Sequence, residues 1–165
     1  MDAVFDSSTL ILLAKIDTLR TVTEDVHAFI PERVRAECLA KETFDAAMIA
    51  LMIAEKKIPV ERAGPDTAVR KLARDFRIER GEAEALWLAR RKQFVLAVDD
   101  GPTIKACRIL GQPFATAVHF LIRMRNAGRL NAEAAMVKFE MLVRFGRYAE
   151  RIVEDAARRI REGTR

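Results

Sequence analysis

Two cysteines in 165 residues, Cys38 and Cys107, are too few and too far apart for a disulfide framework. Neither has neighbours of metal-ligand type, so a zinc site is excluded and a reducing, cytoplasmic setting is expected. The two histidines, His27 and His119, have no paired ligand spacing and read as packing or surface residues. The single tryptophan, Trp87, sits in an apolar helical stretch and reads as core or interface, not as a base-stacking platform. No apolar run is long enough to cross a bilayer, so no membrane association is expected. The first such run is flanked by Asp2 and Asp6, where a secretion signal would carry Lys or Arg, and no signal peptide is expected. Internal repeats and low-complexity linkers are missing too, and the length suits one substantial core.

What is present is an ordinary globular composition with alternating apolar and amphipathic segments. Lys and Arg number 29 against 24 Asp and Glu, giving a net charge of +5. That excess mildly favours a polyanionic partner. The arginines crowd the end of the chain, at positions 144, 147, 151, 158, 159, 161 and 165.

The organising stretch is Val95-Leu96-Ala97-Val98-Asp99-Asp100, an apolar run that meets two carboxylates. It reads as a buried strand, stopped by Gly101-Pro102, with a helix following from Thr103 to Leu110. The N-terminus repeats the pattern: Ala3 to Phe5 is a strand, Asp6 follows it, and Ser7 or Ser8 is expected to cap the next helix. Further strands are expected at 28–30, 58–61 and 113–115. Helices are expected after Pro31, over 44–54, 66–76, 83–91 and 117–126, with 17–24 a polar connection or short helix. This alternation predicts an α/β fold with a central parallel sheet and helices on both faces. Residues 131–161 read as two appended helices broken near Gly146, so the chain divides into a domain over 1–130 and a helical extension over 131–165 packed on or beside it.

Ligands bind at the carboxyl ends of parallel strands. Asp6, Asp99 and Asp100 are placed there, and Glu37 and Glu82 lie on helices beside that edge. Carboxylates held together repel unless a cation neutralises them, and hard oxygen ligands suit Mg²⁺ or Mn²⁺. A pair of such ions about 3.5–4 Å apart can clamp the attacking and leaving oxygens of a phosphodiester. The plain alternatives are that Asp6 caps a helix, that Glu37 is a half-exposed helix residue, and that Glu82 complements a helix dipole. Between Asp99 and Asp100 the pattern does not choose the ligand from the cap.

Four segments resemble the PIN domain family, closest to a prokaryotic branch related to toxin-type ribonucleases. Val4-Phe5-Asp6-Ser7-Ser8-Thr9-Leu10-Ile11-Leu12-Leu13-Ala14 looks like the opening of such a domain. Ile30-Pro31-Glu32-Arg33-Val34-Arg35-Ala36-Glu37 resembles the second motif, whose last Glu is a metal-site acid. Arg80-Gly81-Glu82-Ala83-Glu84-Ala85-Leu86-Trp87-Leu88-Ala89 is similar to a Gly-Glu-x-x-Ala-x-x-Leu-Ala segment, with Glu82 where toxin-type domains carry Asp. Leu96 to Asp100, with Ala106, Leu110 and Gly111, resembles the fourth motif, and Thr116 resembles a late Thr. The resemblance implies a three-layer α/β/α sandwich, a Mg²⁺ or Mn²⁺ site at Asp6, Glu37, Glu82 and Asp99 or Asp100, and endoribonuclease activity. It also implies a small antitoxin partner if the protein is a toxin. A homodimer is the default oligomer. The branch usually has Arg directly after the Asp-Asp pair; here Gly101 stands there, and Lys105 is one helical turn on.

On this reading Ser7, Lys105 and Thr116 contact substrate. The arginine-rich end either forms a solvated helix paired with Glu150, Glu154 and Asp155, or faces RNA phosphates. The interspersed acids favour the first, or a partner-binding helix. The rival reading is a PIN-like binding or regulatory module with weak or lost activity. A phosphatase or receiver domain also places Asp pairs at strand ends, but the Glu-bearing helices disfavour it.

Overall fold

A computed structural model describes residues 1–163; Arg165 of the arginine-rich end lies outside the described residues. The elements run β1 (Asp2–Phe5), α1 (Ser7–Lys15), α2 (Leu19–Asp25), β2 (His27–Pro31), α3 (Glu32–Cys38), α4 (Phe44–Ala54) and β3 (Val60–Glu61). They continue with α5 (Asp66–Phe76), α6 (Arg80–Lys92), β4 (Val95–Ala97), α7 (Gly101–Leu110), β5 (Phe114–Ala115), α8 (Ala117–Asn126), α9 (Ala132–Phe145) and α10 (Glu150–Glu162). Among the described residues no helix is long and apolar enough to cross a membrane.

All strand pairs are parallel, in the order β3-β2-β1-β4-β5. The chain builds the sheet outward from β1 in one direction and then returns to add β4 on its other side. Right-handed crossovers therefore send the helices after β1 and β2 to one face, and those after β3 and β4 to the other. The contacts agree: α1 packs on α4 and α8, while α6 packs on α5 and α7 and covers β1, β2 and β4. The result is a three-layer α/β/α sandwich. The switch in building direction lies between β1 and β4, where a crevice opens beyond the strand ends. Asp6 and the Asp99-Asp100 pair leave the sheet at that point.

Packing fixes those ends. Phe5, the last residue of β1, is fully buried and stacks on Phe120 of α8 with ring centroids 5.1 Å apart. Helix α6 buries Ala83, Ala85 and Ala89 beside Leu86 and Leu88, and the small side chains let it sit close to the sheet. Trp87 is only partly buried and packs against Gly64. Helix α9 packs on α8, and α10 on both.

Three helices start at a carboxylate cap: at α1 and α7 this is one of the caps the sequence left open, and at α6 it is one the sequence did not offer. The cap of α1 is Asp6, whose Oδ2 accepts from the Ser8 N–H (3.2 Å), so both serines lie inside the first turn. Asp100 caps α7, accepting from the Thr103 N–H (2.8 Å), and the helix opens at Gly101 instead of Thr103. Glu79 caps α6 through a capping box with Glu82, which brings Arg80-Gly81-Glu82 into the helix. The segment at 17–24 resolves as helix α2, and the third strand is shorter than expected, at Val60–Glu61.

Candidate active site

The cleft at the switch point has a volume of about 1150 Å³. Its floor is acidic, with Asp6, Glu82, Asp99 and Asp100 along it. Asp6 is 1% exposed. Its Oδ2 accepts from the Ser8 hydroxyl (2.7 Å), while its Oδ1 is buried with no hydrogen-bond partner. Burial raises its pKa above the usual carboxylate range against the Ser8 hydrogen bonds, and Asp100 adds repulsion. Glu82 reaches back to the Glu79 N–H (2.8 Å), yet burial, with repulsion from Asp100 and Asp6, lifts its pKa to about 7. Asp100 is held by Thr103, whose hydroxyl donates to Oδ2 (2.8 Å).

Glu37 approaches from α3 on the far side of Gly81. A Cβ on residue 81 would overlap both Glu37 carboxylate oxygens. The Glu37 pKa is raised by burial and by Asp6, against a hydrogen bond from Ser7. Glu37 opens onto a separate groove with Arg33 and Glu84, so it stands behind the cleft floor. Among the described residues, no three His, Cys, Asp or Glu side chains converge tightly enough to hold an ion as they stand.

Asp99 has different surroundings from its neighbour. Its Oδ2 accepts from the Thr9 hydroxyl (2.7 Å) and the Ala117 N–H (2.9 Å), and its Oδ1 from the Tyr148 hydroxyl (2.8 Å). Its own N–H donates to the Ser8 oxygen (3.1 Å). Burial still raises its pKa. Asp99 therefore ties β4, α1, α8 and the turn after α9 together. Of the pair, Asp100 is the one that faces Asp6 and Glu82 electrostatically.

The residues expected at the substrate are divided. Ser7 and Thr116 line the cleft. Lys105 is exposed on α7 and lies outside the lining, whereas Arg108, three residues on, is part of it. Thr116 forms a capping box with His119, whose Nδ1 accepts from the Thr116 N–H (3.2 Å). Burial and nearby Arg159 lower the His119 pKa. The sequence reading missed Tyr148 and the bridging role of Ser8; only the isolated Tyr beside Gly146 hinted at the former. The arginine-rich end is mixed: Arg158 and Arg159 pair with Asp155, while Arg147 and Arg151 line the cleft.

These are carboxylates at the carboxyl ends of central parallel strands, and the chain as a whole matches a family model described as a PIN domain, over residues 2–162. The chain belongs to the PIN domain family. That match runs through α9 and α10. Among solved structures, a similar chain is found in the crystal structure of VapBC2 from Rickettsia felis bound to a DNA fragment from their promoter. It is 10% identical, with 70% of this chain and 98% of that chain covered and a TM-score of 0.49. No curated protein matches this PIN domain.

Proposed function

We propose that this PIN domain is a divalent-metal-dependent endoribonuclease, with Asp6, Glu37, Glu82 and Asp100 holding Mg²⁺ or Mn²⁺. The observation that carries the reading is Asp6: a nine-tenths buried carboxylate with one unpartnered oxygen, beside two further acids. An unpaired buried acceptor is costly, and a cation relieves it. Hard oxygen donors suit Mg²⁺ or Mn²⁺. A divalent ion bound there supplies Lewis acidity for phosphodiester hydrolysis.

The chain's own residues prepare the site. The Ser8 hydroxyl occupies Asp6 Oδ2 and leaves Oδ1 free for a ligand. Thr103 orients Asp100, and Ser7 engages Glu37. Glu82, with its pKa near neutrality, can hold or give up a proton at working pH. Asp99 acts as a positioning residue, since protein donors already fill its oxygens. Ser7 and Thr116 border the space for substrate.

Calorimetry with Mn²⁺ and Mg²⁺ on wild type and Asp6→Asn, followed by an RNA-cleavage screen, tests the reading. Saturable binding lost in Asp6→Asn, with cleavage of RNA by the wild type, is the expected result; no metal binding by the wild type sinks it. The resemblance of residues 4–14 to a prokaryotic PIN branch related to toxin-type ribonucleases supports a place in a toxin–antitoxin pair, with a small antitoxin as partner. Sedimentation of the purified chain tests the homodimer expected of such proteins, and fractionation its cytoplasmic location.

A further inference from the structure

The turn between α9 and α10 is folded down into the acidic cleft. Tyr148 in that turn is half-buried, and its hydroxyl donates to Asp99 Oδ1 (2.8 Å). Gly146 makes the fold-back possible: a Cβ there would overlap the Tyr148 ring, whose hydroxyl oxygen would stand 3.1 Å away. Two arginines flank this latch. Arg147 precedes Tyr148, and Arg151 lies in the first turn of α10. Both line the cleft, and neither makes an ion pair among the described residues. Asp155, which lines the same cleft from α10, is already paired with Arg158 and Arg159. Gly101, which also lines the cleft, leaves open space at the start of α7.

Guanidiniums that line the same cleft as carboxylates, without pairing with them, are free to take an anion bound there. We infer that Arg147 and Arg151 hold the phosphates of a single-stranded RNA across the acidic floor, positioned there by the Tyr148–Asp99 hydrogen bond. This rests on the phosphodiesterase reading for the choice of ligand. Phe145 and Ile152, both exposed, border the same wall and give a base an apolar surface.

The test is binding of a fluorescein-labelled oligouridylate to the whole chain in EDTA, by anisotropy across a salt series. Each phosphate contact to a single strand contributes about 0.7 to the slope of log affinity against log salt. The double variant Arg147→Gln/Arg151→Gln is expected to lower the slope by about 1.4 and the affinity at about 0.1 M salt roughly 25-fold. The control Arg144→Gln/Arg161→Gln removes equal charge outside the cleft and is expected to change little. Tyr148→Phe keeps the ring and loses the latch; it is expected to weaken binding about three- to tenfold with the slope unchanged. Equal losses in the two double variants, no loss in either, or no oligonucleotide binding by the wild type overturns the inference. Cleavage with Mn²⁺ is scored separately: binding through Arg147 and Arg151 without cleavage leaves the inference standing and sinks the nuclease reading.

Discussion

The Glu37 carboxylate occupies the space where residue 81 would carry a Cβ, so Gly81 is what lets α3 and α6 bring an acid toward the floor of the cleft. Gly81 is buried in the first turn of α6 and has an ordinary negative φ, so its role is steric. This explains in physical terms why Gly precedes Glu82 in the motif.

Gly81→Ala separates stability from function. Ala favours a helix over Gly by about 1 kcal/mol, and the half-exposed Glu37 side chain can swing outward. The expected outcome is an unchanged or slightly raised Tm with about tenfold weaker Mn²⁺ binding, read by thermal melts and calorimetry.

Asp6→Asn removes a buried charge that has one unpartnered oxygen. Without metal the variant is expected to be about 1–2 kcal/mol more stable than wild type, by urea denaturation in EDTA. With saturating Mn²⁺ the order reverses, because only the wild type gains stability from the ion. A variant less stable than wild type in EDTA would remove the case that Asp6 is held ready for a cation.

The pH dependence follows from Glu82. Its pKa is raised from 4.5 to about 7 by burial and by its acidic neighbours. A raised acid keeps its proton longer in the folded state, so the stability it lends is full below pH 4.5 and lost as the pH climbs toward about 7. Asp6, Glu37 and Asp99 are shifted in the same direction. Melting in EDTA is therefore expected to fall across that window, and Glu82→Gln to flatten its upper part. Mn²⁺ affinity runs the other way and rises through neutrality, as protons stop competing.

The two thiols are expected to be inert. Burial pushes the Cys38 thiol up to about 12 and Cys107 up to about 11. Ellman's reagent at neutral pH is expected to leave both unmodified in the native protein and to titrate both in guanidinium. Fast native reaction at either site would show looser packing of α3 or α7 than the structure describes.

Phe120→Ala tests the support under Asp6. The Phe5–Phe120 stack holds the end of β1 from below, and deleting one ring is expected to cost about 3–5 kcal/mol by urea denaturation. A loss below about 1 kcal/mol would mean that α8 does not pin this strand.

Much of the architecture was legible in the order of residues. Helices α4, α5 and α8 begin and end where the sequence pattern places them. The starts of α6 and α7 were not legible, because a carboxylate can cap, bind a ligand or do both, and local pattern does not separate these. Glu82 closes a capping box and also lies in the cleft. For α1 the pattern offered Asp6, Ser7 and Ser8 as caps without ranking them, and the fold uses Asp6.

The sequence by itself determined that acids follow two apolar strands and that a parallel α/β/α sandwich gathers them, since periodicity and strand-end chemistry are local properties. Only the tertiary structure gave Asp99 and Asp100 different surroundings. Thr9, Ala117 and Tyr148 reach Asp99 from three other segments, and no spacing along the chain encodes that convergence. The tertiary structure also turned part of an arginine-rich end into one wall of the cleft, because a helix pair can dock on either side of α8 and long-range packing makes the choice.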